Sequence, residues 1–216
     1  HEVISYGPCI QEDDLKLWDM EEIRGRVREH DIPYFTKDMT EVFDHLPKGW
    51  TPDFFLWVES GIYYPMERVE SLPCPTACYL VDTHLNWDKH LEIARRFDCV
   101  FVAQKEYIPK FKASGIEQVF WLPLACDPEV HRKFGEVKDL DVAFVGSVTP
   151  LNRRRNGLLM RLAERFSLHV DRCFLEEMAR TFNRSKIVFN GSVKNDLNMR
   201  VFEAMATGSL LVTDEA

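Results

Sequence analysis

"SKIVFNGSVKNDLNMRVFEAMATGSLLVTDEA", residues 185–216, decides the fold. It opens with an apolar run, KIVFNGS (186–192), and passes through a polar loop into MRVFEAMATG (199–208). There Val201, Phe202, Met205 and Ala206 recur at helical spacing, so one side of the segment faces a core. Gly208 stands where a helix ends in a left-handed residue, and SLLVTD (209–214) follows as a second apolar run. Strand, helix and strand this close together form a right-handed crossover between parallel strands. Asp196 or Asn198 is placed to cap the helix. Its open end, Asn198–Arg200, suits an anion, with unpaired amides, a positive dipole end and a fixed charge on Arg200. Glu203 sits among the apolar positions and reads either as a surface residue or as a ligand contact.

The same alternation extends back along the chain. Strands are expected at 2–7, 52–60, 76–84, 98–104, 118–128, 141–147 and in SLHVDR, with helices at 11–29, 86–97, 154–166 and 176–185. Patterning pauses at EVHRKFGEVKDL (129–140) and then restarts. The expected organisation is therefore α/β. An N-terminal Rossmann-like domain (1–130), a linker (131–140) and a second such domain (141–216) present two parallel sheets across a cleft. Ligands of open parallel sheets bind beyond the carboxyl ends of the strands. That directs attention to Glu59-Ser60-Gly61, Asp82-Thr83-His84, Gln104, Asp127, Gly146-Ser147, Asn190-Gly191-Ser192 and Thr213-Asp214.

Of the 216 residues, 45% are hydrophobic, enough for packed cores. A net charge of −8 argues against general binding to nucleic acid or to anionic membranes, which needs a basic surface. No apolar run is long enough for a membrane span, and no signal peptide is visible. The six cysteines form no CxxC pair, which reads as free thiols in a reducing, cytoplasmic setting. FVGSVTPLN lacks the ending of a phosphate-cradling P-loop.

The closing stretch resembles the donor-binding segment of GT-B glycosyltransferases, and within them the spore-maturation (CgeB-like) group. That pattern runs K-I-x-x-N, N-x-R-x-F-E, A-x-G and an apolar strand ending T-D; Arg200, Phe202, Glu203, Gly208, Thr213 and Asp214 match it. DVAFVGSVTPLNRRR resembles the first strand and turn of the same domain, and VFWLPLACDPEVH the end of the preceding one. The resemblance implies a metal-independent transferase with no cofactor. Its donor is a nucleotide diphosphate sugar; its acceptor is a hydroxyl of a glycan, protein or small molecule. It also implies that Glu203 accepts hydrogen bonds from the ribose hydroxyls. Asn198, Arg200, Gly146, Ser147, Arg154, Lys186 and Asn190 would then line the donor, with Arg200, Lys186 and the Arg153–Arg155 run meeting the diphosphate charge. The Arg run reads equally as a solvated helix start. Many retaining members carry a second glutamate where this chain has Asn195. Against the pattern, the chain is expected to be incomplete at both ends.

In the first half, Asp82 and His84 follow a strand, where an acceptor would enter. His84 with that carboxylate is a candidate general base, or else Asp82 or Thr83 merely closes a turn. Asp82-x-His84 lacks the second cluster a metal site needs. Glu59, with Tyr63 and Tyr64 nearby, is a further candidate. The competing functions are a degenerate, non-catalytic nucleotide or glycan binder and a sugar-nucleotide epimerase.

Overall fold

The structure, a computed structural model, describes residues 1–59, 64–150, 152–194 and 196–214. The chain divides into two compact units, 1–123 and 124–216. Ser60, Gly61, Tyr63 and Asn195, singled out above, lie outside the described residues.

The first unit begins with β1 (Tyr6–Gly7), α1 (Glu12–Leu17) and β2 (Ile32–Pro33); β1 and β2 pair in parallel. The expected strand at 2–7 is thus two residues, and the expected helix at 11–29 is broken. Asp19 takes φ +53°, and a 3-10 turn, Glu21–Arg26, replaces the rest. Leu15 alone is buried in α1 and nothing is buried in the turn, so no apolar stripe holds a longer helix to a core.

After α2 (Met39–Asp44) comes the main sheet: β3 (Phe55–Val58), β4 (Thr76–Leu80), β5 (Cys99–Val102) and β6 (Val119–Trp121). All are parallel, in the order β3-β4-β5-β6. Crossovers that step one way with one hand place their helices on one face. Accordingly α3 (Trp87–Ala94) and α4 (Ile108–Ala113) bring Ala94 and Phe111 onto Trp57, Cys78, Leu80, Val100 and Val102. The alternate residues Leu56, Val58 and Phe120 point to the other face and stay nearly half exposed.

The second unit winds both ways. Its strands are β7 (Leu140–Val145), β8 (Leu168–Asp171), β9 (Ser185–Asn190) and β10 (Leu210–Thr213), parallel, in the order β10-β9-β7-β8. From β7 the chain steps outward to β8, then returns past β7 to β9 and β10, so the winding reverses between β7 and β9. Helix α5 (Arg153–Ala163) covers one face, with Leu159 against Val142, Phe144 and Phe189. Helices α6 (Leu175–Arg184) and α7 (Met199–Ala206) cover the other, with Met178, Phe182 and Ala204 against Val145 and Val188. This is the doubly wound, Rossmann-like arrangement, and its crevice lies where the strand order reverses.

The segment read as a linker is bound into this unit. The Phe134 amide donates to Asn183 Oδ1 at 2.7 Å, and Lys138 Nζ donates to Ser209 Oγ at 2.9 Å. Its polarity reflects these hydrogen bonds. All six cysteines are free thiols. Among the described residues no helix is long and apolar enough to cross a membrane.

Candidate donor site and a braced turn

The crevice of the second unit opens at the carboxyl ends of β7 and β9, just where Gly146 and Asn190 stand. Gly146 takes φ +151°, and a Cβ there would meet Arg200 Nη2 at 2.6 Å. The missing side chain makes room for a guanidinium. Arg200 Nη1 donates to the buried Asn190 Oδ1 at 3.1 Å. The Asn190 amide in turn donates to Thr213 Oγ1 at 3.0 Å, which tethers it to β10.

A second guanidinium comes from α5. Arg155 Nε donates to the Gly191 carbonyl at 2.8 Å and Nη1 to the Ser147 carbonyl at 2.9 Å. Arg155 thereby ties together the two loops that follow β7 and β9. Both guanidiniums lie over the Phe144 ring, 5.5 Å (Arg155) and 5.4 Å (Arg200) from its centre. Burial, together with the charge of Arg155, brings the Arg200 pKa down to about 10, against the pull of Glu203 and Asp196. Two cations so close, in low dielectric, form an unfavourable arrangement that an anion would relieve.

Helix α7 starts at this place. Asn198 occupies the N-cap position with extended backbone, but its side chain makes no capping bond. Its Oδ1, Asp196 Oδ1 and Arg200 Nε are buried and have no hydrogen-bond partner among the described residues. One turn on, Glu203 is 5% exposed, and burial raises its carboxyl above the ordinary range despite Arg200. His131 Nε2 lies 3.8 Å from Glu203 Oε1. Gly208, at φ +75°, ends the helix as its sequence position implies.

The remaining donor candidates divide. Arg154 pairs with Asp214 Oδ2 at 2.5 Å, and Asp214 also accepts from the Ser192 amide and hydroxyl. Burial pushes the Asp214 carboxyl up, but Ser192 and Arg154 outweigh it and hold it below the ordinary range. Arg154 thus closes the rim of the crevice, while Arg155 enters it. Lys186 is not brought here. It is the second residue of β9 and binds Asp141 Oδ1 at 2.6 Å, at the amino end of the sheet. Four residues of strand, about 13 Å, separate it from Asn190.

Sequence reasoning named the Arg153–Arg155 run and put Arg154 on the donor; it is Arg155 that enters the crevice. The signal was available: Leu159 and Leu162 mark the apolar face of α5, and Arg155 lies one turn before Leu159 on that face. Phe144, the shared platform, and His131 were missed.

Residues 131–216 match the family model described as glycosyl transferase-like. The matched segment contains every residue of this crevice. No curated protein sequence matches the chain. Among solved structures, the accessory secretory protein 1, 2 and 3 structure of Streptococcus pneumoniae is similar at 10% identity and a TM-score of 0.45. That likeness covers 80% of this chain and 43% of the other, so this chain spans less than half the length of that neighbour. The Rossmann-like assignment rests on the chain's own parallel sheets and strand order.

In the first unit, the carboxyl ends of β3, β4 and β5 carry a polar network. Glu59 Oε2 accepts from the Val81 amide at 2.7 Å and the Asp82 amide at 3.2 Å. Its other oxygen is bonded to Nε2 of the fully buried His90 at 2.9 Å, and His90 Nδ1 meets Thr83 Oγ1 at 3.2 Å. Gln104 completes the clamp: its Oε1 accepts from the Thr83 amide at 3.2 Å and its Nε2 donates to the Val81 carbonyl at 2.6 Å. The clamp holds the turn that bears Asp82, which is exposed, and His84, which is half-buried. Its histidine is His90, which the sequence reading did not single out. Glu59 serves as a brace.

Burial raises the Glu59 carboxyl, but His90 and the two amides outweigh it and hold it below the ordinary range. Because the folded carboxyl titrates lower than the unfolded one, its stabilisation is complete above about pH 5 and disappears as pH falls through the folded value. Glu59→Gln is expected to cost about 2 kcal/mol at neutral pH. In urea unfolding, the gap to wild type should close below about pH 4; a gap that persists there would remove the carboxylate from the account.

Proposed function

We propose that the second unit binds a nucleotide diphosphate sugar and that the protein transfers the sugar to an acceptor hydroxyl. The observation that carries this is the crevice itself. Two desolvated guanidiniums, an uncapped helix start and a buried carboxylate meet at the switch point of a Rossmann-like sheet, with several polar atoms left unpartnered. Native interiors seldom leave such groups unmatched, so a cluster of them in one crevice suits a polar, anionic ligand. The diphosphate belongs with Arg200, Arg155 and the amides opening α7, whose dipole favours negative charge. Ser147 and Gly146 bound this space; Asn190 orients Arg200; Asn198 has an acceptor free for a ligand hydroxyl. Glu203 offers two acceptor oxygens to a vicinal diol, which fits the ribose.

In the reaction, the bond from the sugar's anomeric carbon to the diphosphate breaks and a bond to the acceptor oxygen forms. The nucleoside diphosphate leaves with its added charge met by the guanidiniums in place of a metal ion. We assign removal of the acceptor proton to His84, with Asp82 beside it on the braced turn.

Calorimetric titration of the chain with UDP, GDP, ADP and CDP, in EDTA, tests the donor reading. One of them should bind, and Glu203→Ala should weaken it at least about tenfold. A folded protein that binds none of them would overturn the reading.

A further inference from the structure

His131 has no part in the site as described so far, yet its placement is specific. The Asp127 carboxylate accepts from the Glu129 amide at 2.8 Å, and the Asp127 carbonyl accepts from the His131 amide at 2.7 Å. This single helical turn swings the imidazole inward, where it is 3% exposed. Two residues on, the Lys133 methylenes lie beside Gly208, just past the end of α7.

Neither ring nitrogen has a hydrogen-bond partner among the described residues. An imidazole always carries at least one N–H, and sealing it away unmatched is costly. Glu203 Oε1, at 3.8 Å from Nε2, is just beyond hydrogen-bond reach. Burial lowers the His131 pKa, opposed by the Asp127 carbonyl and carboxylate. The neutral tautomer with its proton on Nε2 presents a donor to Glu203. Catalytic hydrogen bonds that are long in the free protein commonly shorten when ligand arrives.

We propose that His131 is the positioning residue for Glu203: it closes on the carboxylate when a nucleoside diphosphate binds, aims both oxygens at the ribose diol, and so sets the preference for ribonucleotides over 2′-deoxyribonucleotides. The inference rests on the reading of Glu203 as the ribose contact. A carboxylate has about four lone-pair sites. One taken by His131 Nε2–H stops the group from rotating and leaves the rest for two hydroxyls. Without that bond the carboxylate can still take a single hydroxyl from either sugar, and the distinction fades.

The test is calorimetric titration of the chain with UDP, GDP, ADP and CDP and with their 2′-deoxy counterparts, for wild type, His131→Phe and His131→Gln. Wild type should favour the ribose form of its nucleotide by about tenfold or more. His131→Phe should bring that ratio close to one through loss on the ribose side alone, and His131→Gln, whose amide donates, should restore it. Should His131→Phe fail to fold, His131→Met is read in the same way. A phenylalanine or methionine variant that keeps the wild-type ratio, or that weakens both sugars equally, would make His131 a packing residue and overturn the inference while leaving the donor site intact. If wild type binds no nucleotide, the donor reading fails and this inference fails with it.

Discussion

Arg200→Met is expected to weaken nucleoside diphosphate binding about a hundredfold, since two charge-assisted bonds to phosphate are lost. The same change should leave the folded state nearly as stable as wild type. In the free protein Arg200 is desolvated beside Arg155, and a guanidinium titrating at about 10 costs the fold roughly 3 kcal/mol at neutral pH. Methionine removes that cost but also the bond to Asn190 and the contact with Phe144, together about 2–3 kcal/mol. The two nearly cancel. Titration paired with urea unfolding checks both halves. A variant that binds normally would place the phosphates elsewhere. One that loses more than about 3 kcal/mol would make Arg200 a structural staple.

Gly146→Ala should damage stability and binding together. At φ +151° a side chain is strained whatever the space, at about 1–3 kcal/mol. The new Cβ would stand 2.6 Å from Arg200 Nη2, so the guanidinium must swing off Asn190. Affinity should fall about tenfold beyond any effect of unfolding. On the Arg200→Met background the loss of stability should remain while the further loss of affinity vanishes, because nothing is left to displace. Equal affinity losses on both backgrounds would show that Gly146 acts on the ligand without Arg200.

The order of strands and helices was legible in the sequence because each element pairs an apolar period with a punctuating residue. Gly208, at positive φ, ends its helix where the sequence places it. Residues 11–29 were misread because Leu15, Trp18, Ile23 and Val27 stand at roughly helical spacing, yet only Leu15 of these is buried against a core. Gly146 and Asn190 were singled out because a doubly wound sheet binds ligands after particular strands, Arg200 because it opens a helix, and Glu203 because it is a carboxylate among apolar helix positions; the structure brings these four residues to one crevice. Phe144 and His131 were not read, and Arg155 only as part of a run, since each depends on which way a side chain faces within its element. Lys186 was misplaced although its position was legible: it opens the apolar run 186–192, at the amino end of the strand, where it meets Asp141.

The clamp of Glu59 and Gln104 has one more consequence. It holds the amides of Val81, Asp82 and Thr83 and the carbonyl of Val81 within a single turn. A free loop loses about 1–2 kcal/mol of conformational entropy per residue when a ligand orders it. Here that loss has already occurred during folding, so a molecule arriving at Asp82 and His84 meets a surface whose shape is set in advance. If the acceptor binds there as proposed, little ordering cost is left to meet, and weak, readily released acceptors become compatible with accurate placement.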